Sequence, residues 1–558
     1  MEFKLKSPED FTAAEYQREL KSWCQARKGA AKSKPASIAI VGAGMAGLVT
    51  AWLLREVGHD VTIFEASPSA GGRIKTIRFG KGGPYAEAGA MRIPRSHSLT
   101  TWLTEDLFGL QTWKFNSADE NALYYINNEH CRAKDYIKNN DVFRFALSPR
   151  EREFKPAPSQ GLAAALFERC LDNFISYELK MPGIKVGELG SLPPGKIKSI
   201  RRGFDRFSLT QFLMEKSFLE VSGTSSGKKT KPVPDSKLSQ AARDFITSVL
   251  GLEMHLSCSL LAVIDDYLVL HGDGEMRQIQ YGMDYLPRAF LGISAPGQRQ
   301  TRLATSRPNL KGMVKFNVRV TEVARAPHSD DDKAKLVVKF ARPGSSRERQ
   351  DSFDRVIIAI PFSAMRQIRM PQLTGPAKRR ALRQLHYDNS CKVLLIFREP
   401  FWRKIKIRGG RSITDLAIRQ ICYPIKEQEM PGANILLASY TWGEDSLRWT
   451  ALNKSDRLRF ALRDLERVHK RPLKDIYVKG TSHSWAEAEF TSGAFAMFEP
   501  YQLTELFRDV WRPEGLIHYC GEHTSTKHGW IEGAVESAVR VALEVCASVD
   551  HNVVHAME

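Results

Sequence analysis

Apolar positions along this chain fall into two patterns: short β-branched runs bounded by turn residues, and longer stretches with the 3.6-residue spacing of amphipathic helices. Residues 38–41 (IAIV) are of the first kind and suit a strand buried on both faces of a parallel sheet. Helical character over residues 45–57 stops at Gly58, and residues 60–64 (DVTIF) read as a second strand, which completes a β-α-β unit. Upstream, Phe11, Tyr16, Leu20 and Trp23 recur at helical spacing, with acids early and bases late, and predict a helical arm over residues 8–27 that packs on a later domain. Residues 150–271 are rich in helical spacing, clearest over 162–174 and 207–219. The segment 221–235 (VSGTSSGKKTKPVPD) interrupts them, and its composition predicts a mobile exposed loop. Residues 281–290 (YGMDYLPRAF) read as a glycine turn entering a helix. Alternation over 314–323, 333–341 and 353–360 predicts an antiparallel β unit, while 392–397 (KVLLIF), a strand near 421 and another over 435–440 predict a second sheet. The chain closes with a short strand ending at Gly521-Glu522 and a helix opened by Gly529-Trp530.

The first β-α-β unit carries chemistry. Gly42, Gly44 and Gly47 follow its first strand in the Gly-x-Gly-x-x-Gly spacing. The first permits the tight turn, the second lets a pyrophosphate approach the backbone, and the third brings helix and strand together. Glu65, 21 positions after Gly44, ends the second strand, where a carboxylate can bind the hydroxyls of an adenosine ribose. Arg73, on the AGGR turn at 70–73, can reach the same pyrophosphate. Residues 86–94 (AEAGAMRIP) combine small residues that allow close backbone approach with one arginine, Arg92, whose guanidinium suits either a carboxylate ligand or an ordinary ion pair. At the far end, the N-terminus of the Gly529-Trp530 helix concentrates unpaired N–H groups that can face an electron-rich cofactor edge.

Composition narrows the class. An apolar fraction of 42% is that of a globular protein with a substantial core. No apolar run reaches membrane-spanning length, and the start, MEFKLKSPEDF, lacks an apolar signal core, which points to a cytoplasmic location unless the chain is a processed form. Eight cysteines are scattered without metal-like pairs, and no metal site is expected. The net charge of +19 invites a nucleic-acid reading, but the basic residues are dispersed and no reader motif accompanies them. A positive field does favour anionic ligands.

Together the motifs VGAGMAGL with Glu65, AGGR, EAGAMRIP, YGMDYLP, NSCKVLLIF, the Phe401-Trp402 pair and GEHTSTKHGWIEGAVESA resemble the flavin-dependent amine oxidase family, and within it the L-amino-acid oxidases, over roughly residues 37–545. The resemblance implies an α/β flavoprotein of the two-dinucleotide-binding-domain type, with a Rossmann-type FAD-binding domain, a mixed-sheet substrate domain and a helical insert. It divides the chain into an N-terminal arm (1–36), FAD-binding parts (37–80, 276–362, 481–546), substrate-domain parts (81–148, 363–480), the helical insert (149–275) and a C-terminal tail (547–558). It also implies a homo-oligomer acting on a free L-amino acid with dioxygen.

Carried onto matching positions, the family's roles imply that Arg92 holds the substrate carboxylate with help from Tyr423, that Lys392 holds a water near flavin N5, that the Gly529 carbonyl receives the amino group, and that Trp530 walls the pocket. The implied FAD contacts are Gly42, Gly44, Met45, Ala46, Gly47, Glu65, Ala66, Gly72, Arg73, Gly89, Ala90, Met91, Arg92, Val320, Trp485, Gly521, Glu522, Trp530 and Ile531. Monoamine oxidases attach FAD through a cysteine of a Ser-Gly-Gly-Cys segment; here the match is Ser492-Gly493-Ala494-Phe495, so FAD is expected to be non-covalent. The implied reaction is oxidative deamination to a 2-oxo acid, ammonia and hydrogen peroxide. Two alternatives stand: an amino-acid 2-monooxygenase yielding an amide, and a chromatin- or nucleic-acid-associated protein on the same fold. No general base is singled out among His97, His386, His523 and His528, and Asp265 and Asp266 are open to two readings, an acidic pocket wall or an exposed pair.

Overall fold

The computed structural model describes residues 6–25, 35–80, 83–139, 141–157, 160–191, 194–222, 231–271, 274–303, 307–326, 335–371 and 373–550. Its organising layer is a five-stranded, all-parallel sheet in the order Val314–Phe316, Asp60–Glu65, Ser37–Val41, Arg355–Ile358, Ile517–Tyr519. The strands come from three distant parts of the chain, because each β-branched run needs neighbours on both edges and helices on both faces to bury its backbone. Met45–Glu56 and the C-terminal helix Ile531–Asp550 pack together on one face, sharing a core with Trp52 and Val539. The arm Ala13–Gln25 lies on the same C-terminal helix and inserts Tyr16 and Leu20 into that core.

A mixed seven-stranded sheet forms the second layer, in the order Tyr477–Ser484, Ser390–Phe397, Asn434–Trp442, Gln420–Cys422, Arg411–Thr414, Leu123–Ile126, Glu129–Arg132. Only Arg411–Thr414 and Leu123–Ile126 pair in parallel. Helix Lys454–His469 covers one face through Leu462, Leu465 and Val468. A helical insert built on Leu162–Tyr177, Pro194–Asp205, Gln240–Leu250 and Leu260–His271 shares one core with Val41 and Ile358 of the first sheet and Ile126 and Ile413 of the second. It is held by aromatic packing, with Phe174 stacked on Phe204 at 5.4 Å between ring centroids.

Several local expectations change. The run 314–323 is two strands: Asn317, at φ 55°, turns the chain so that Val314–Phe316 joins the parallel sheet and Arg319–Arg325 an antiparallel one. The alternation over 353–360 likewise divides, Arg349–Phe353 pairing with Leu336–Ala341 and Arg355–Ile358 with Ser37–Val41. Residues 207–219 do not form one helix: Ser208 caps a single turn, Leu209–Gln211, a wider turn Phe212–Lys216 follows, and Ser217 is extended. The predicted mobile loop lies largely outside the described residues; its flanks, Val221–Ser222 and Lys231–Pro232, pair as antiparallel strands.

Candidate active site

A cavity of about 1040 Å³ runs from the glycine turn of the parallel sheet, past the mixed sheet, to the helical insert. That volume is at or above the upper end of the range usual for a single small ligand, about 300–1,000 Å³. Every residue expected to contact FAD lines it except Gly47. Gly47 acts one layer back: a Cβ there would run into the Gly42 carbonyl, so its lack of a side chain sets the helix-to-strand distance.

At the dinucleotide end the backbone supplies the cradle. Gly42 sits at φ +106°, and a Cβ on it would come within 2.7 Å of Ile360 Cγ2. A Cβ on Gly44 would meet nothing within 4 Å, so this turn faces open volume at a helix start whose first N–H groups have no helical partners. Glu65 faces the cavity with its carboxylate fixed by the N–H of Ala43 at 2.7 Å and of Ser67 at 2.8 Å. Ala66, Gly72 and Val320 complete this end. Arg73 pairs with Glu522 at 2.5 Å and donates to the Ala494 carbonyl at 3.2 Å. Glu522 also accepts the N–H of Ala496 at 3.2 Å and of Gly529 at 2.9 Å. A side-chain-free turn over open space, a fixed ribose-facing carboxylate and a helix start beside a second fixed carboxylate fit an adenine dinucleotide.

At the other end the side chains do the selecting. Arg92 precedes the short strand Ile93–Pro94, which pairs with Met276–Ile279 and through it with Thr112–Phe115. This small sheet holds the guanidinium 5.8 Å from the Phe115 ring and 5.9 Å from the Trp530 ring. Among the described residues no carboxylate stands within ion-pair distance of Arg92. Lys392 is the charged residue of a largely apolar strand, Ser390–Phe397, buried along its whole length. Its Nζ donates to the carbonyls of Gly89 at 2.7 Å and Glu87 at 3.1 Å and lies 4.7 Å from the Tyr440 ring. Burial lowers its pKa to about 8, against the opposing pull of Cys422 and Glu87. Glu87 is itself pushed up to about 7 by desolvation. Trp485 Nε1 donates to the Ala88 carbonyl at 3.1 Å, which pins the Gly89-Ala90-Met91 segment against the cavity. Gly521, Gly529, at φ +75°, Trp530 and Ile531 form the opposite rim.

One expected substrate ligand is misplaced. Tyr423 does not line the cavity: its hydroxyl bonds Ser412 at 2.9 Å and His469 at 3.0 Å in the core beneath the mixed sheet. The cause is strand alternation. Cys422 faces the Lys392 side, so the next residue faces away. The tyrosine in the cavity is Tyr440, directly opposite Lys392 in the neighbouring strand and on the same face as Trp442, which also lines the wall. That alternation was readable at 440 and 442.

The histidines separate as well. His386 and His523 lie off the cavity, His523 enclosed by the rings of Phe362 and Tyr387. His97 and His528 line it, and burial lowers both to about 3, so they are neutral at ordinary pH. His483, opposite Lys392 on the other neighbouring strand, also lines it and was not anticipated; burial lowers it to about 4. Asp265 and Asp266 belong to the wall.

This arrangement agrees with what comparison with known proteins finds. The family described as "Flavin containing amine oxidoreductase" matches residues 45–546, and "Pyridine nucleotide-disulphide oxidoreductase" matches residues 3–77. The chain belongs to the flavin-containing amine oxidoreductases. It is 30% identical to an L-amino-acid oxidase of Siganus canaliculatus, covering 91% of this chain and 85% of that protein. An L-amino-acid oxidase of Bungarus fasciatus is 28% identical, with 96% and 91% covered. The structure of a putrescine oxidase bound to putrescine superposes with a TM-score of 0.65 at 19% identity, covering 92% and 99%, which bears on the fold. The protein is thus an FAD-dependent oxidoreductase acting on an amine or amino acid by oxidative deamination. Its flavin is non-covalent, in keeping with a cavity that no cysteine lines among the described residues.

Proposed function

We propose that this amine oxidoreductase is an L-amino-acid oxidase. The observation that carries the reading is Arg92, a guanidinium near two aromatic rings at the reaction end of the cavity with no carboxylate paired to it among the described residues. Leaving a cation there is costly unless the ligand answers it, and a free α-carboxylate does so through charge-assisted, bidentate hydrogen bonds. The left-handed Gly529 turns its backbone beside Trp530, where its carbonyl can receive the substrate amine. Trp530 and Tyr440 restrict the bound molecule to the volume between Arg92 and Lys392. Holding the carboxylate and amine at fixed points presents the α C–H in one direction and removes much of the entropic barrier. Bound FAD supplies the two-electron acceptor for that hydride and passes the electrons to dioxygen, giving hydrogen peroxide. Lys392, whose Nζ donates to two carbonyls and reaches Met91 Sδ at 3.5 Å, would exchange the weaker sulfur contact for the water that hydrolyses the released imino acid to a 2-oxo acid and ammonia.

The test is anaerobic mixing of the flavin-loaded protein with the twenty L-amino acids and, separately, with putrescine and cyclohexylamine. Bleaching of the flavin by amino acids and not by the two amines is expected. Bleaching by the amines alone would overturn the reading.

A further inference from the structure

The helical insert brings two adjacent carboxylates to the reaction end, and they differ in how they are matched. Asp265 and Asp266 stand on Leu260–His271. Asp265 meets Arg201 of Pro194–Asp205 at 3.1 Å, so its charge is answered by the opposite helix. Of the other cations on this wall, Lys527 is answered by Glu536 at 3.5 Å and Lys392 by the carbonyls of Glu87 and Gly89. Asp266 forms no ion pair among the described residues. Burial pushes its carboxyl above the usual carboxylate range, opposed first by the field of Arg92, then by that of Arg411 and by the Trp530 side chain.

Asp266 therefore depends most on the cation that an amino-acid substrate takes over. Once an α-carboxylate sits on Arg92, that positive charge is matched from the substrate, and Asp266 faces a second anion across the same volume. A substrate with a purely apolar side chain would strip water from Asp266 and give it no partner, which is unfavourable for a carboxylate. A substrate with a terminal cation on a flexible stem would complete it by a charge-assisted bond. The surrounding wall suits such a stem, since Phe204, Leu261, Ala262, Leu268 and Val269 are apolar and line the approach.

Resting on the oxidase reading above, we propose that the enzyme prefers L-amino acids with a cationic side chain, of the lysine, ornithine and arginine type, and that Asp266 is the group that meets the cation. L-Lysine and L-norleucine share a stem and differ by the ammonium, so their ratio of kcat/KM isolates the contact. The expected ratio is about tenfold or more in favour of lysine. Asp266→Asn, nearly isosteric, lowers that ratio by about tenfold, and Asp266→Glu retains part of it. Calorimetry with α-methyl-L-lysine and α-methyl-L-norleucine, which lack the α C–H and cannot be oxidised, gives a readout independent of turnover. The lysine analogue binds more tightly to the native protein, and the difference collapses in Asp266→Asn. Equal flavin content in all variants shows that the fold is kept. Norleucine oxidised as well as lysine, or a ratio that Asp266→Asn does not move, overturns this inference while the accompanying peroxide sustains the oxidase reading. Absence of peroxide with every amino acid removes the reading beneath it.

Discussion

The two ends of the cavity meet their ligands in opposite ways. Around the glycine turn the acids that face the cavity are answered within the protein: Glu65 by two backbone N–H groups, Glu522 by two more and by Arg73. Around Lys392 the charged groups are displaced toward neutrality by their surroundings, Lys392 down to about 8 and Glu87 up to about 7, while Arg92 and Asp266 lack ion-pair partners among the described residues. A ligand that stays through every turnover can be met by a rigid, fully bonded scaffold. A ligand that arrives, reacts and leaves needs groups whose partners it can replace and whose protonation changes near working pH.

Five substitutions test that contrast, ordered from the largest expected effect to the smallest. Glu522→Ala breaks the pair with Arg73 and leaves two N–H groups unanswered, at a cost of about 3–5 kcal/mol. The protein should therefore be purified with little flavin, as read from its visible absorbance. A variant that kept its flavin and lost only turnover would break the contrast. Arg92→Ala should leave flavin content alone and reduce kcat/KM for amino acids by about 2–5 kcal/mol of transition-state binding, roughly 30- to several thousand-fold. Unchanged kinetics would take the carboxylate clamp away from Arg92.

Lys392→Met probes the displaced cation. Its pKa of about 8 means that the ammonium dominates below that pH and the neutral amine above it. Electron transfer to dioxygen builds negative charge that a nearby cation stabilises, so flavin reoxidation in the native enzyme should slow as pH rises through about 8. In Lys392→Met it should be flat across that window and slower by roughly 10²-fold at neutral pH. A stopped-flow pH series that keeps the native inflection in the variant assigns the titration to another group. Smallest is Tyr423→Phe, which loses the bonds to Ser412 and His469 and should cost about 1 kcal/mol in denaturant unfolding while kcat/KM stays within about twofold. Tyr440→Phe, by contrast, should raise KM. The reverse pattern would return the tyrosine role to Tyr423.

The same contrast explains what was legible beforehand. The dinucleotide end is written in backbone requirements at fixed spacing, so Gly42, Gly44 and Glu65 stood out from residue type and spacing, while Glu522 came with the family resemblance. Arg92, Lys392 and Trp530 were carried by family motifs, and the structure gathers them around one volume. Tyr440 was missed because the choice between two tyrosines on adjacent strands depends on which face of the sheet each presents, and the register is set by a bulge between Gln420 and Cys422. Asp266 stayed ambiguous because a helix in an insert has no intrinsic address; only packing against Pro194–Asp205 and beside Trp530 puts it in the cavity. The strands over 314–323 and 353–360 read as continuous because a break at a left-handed residue such as Asn317 leaves the alternation on either side intact.

The ion pair between Arg73 and Glu522 joins positions 449 apart in the chain. During synthesis at about 5–20 residues per second, the arginine waits roughly 20–90 s after it emerges before its carboxylate exists. For roughly the first two-thirds of that interval the strand Ser37–Val41 also lacks Arg355–Ile358, its partner on one edge. Flavin capture is therefore an event of the finished chain, and loss of even the last tenth of the polypeptide should yield colourless protein regardless of how well the glycine turn itself has formed.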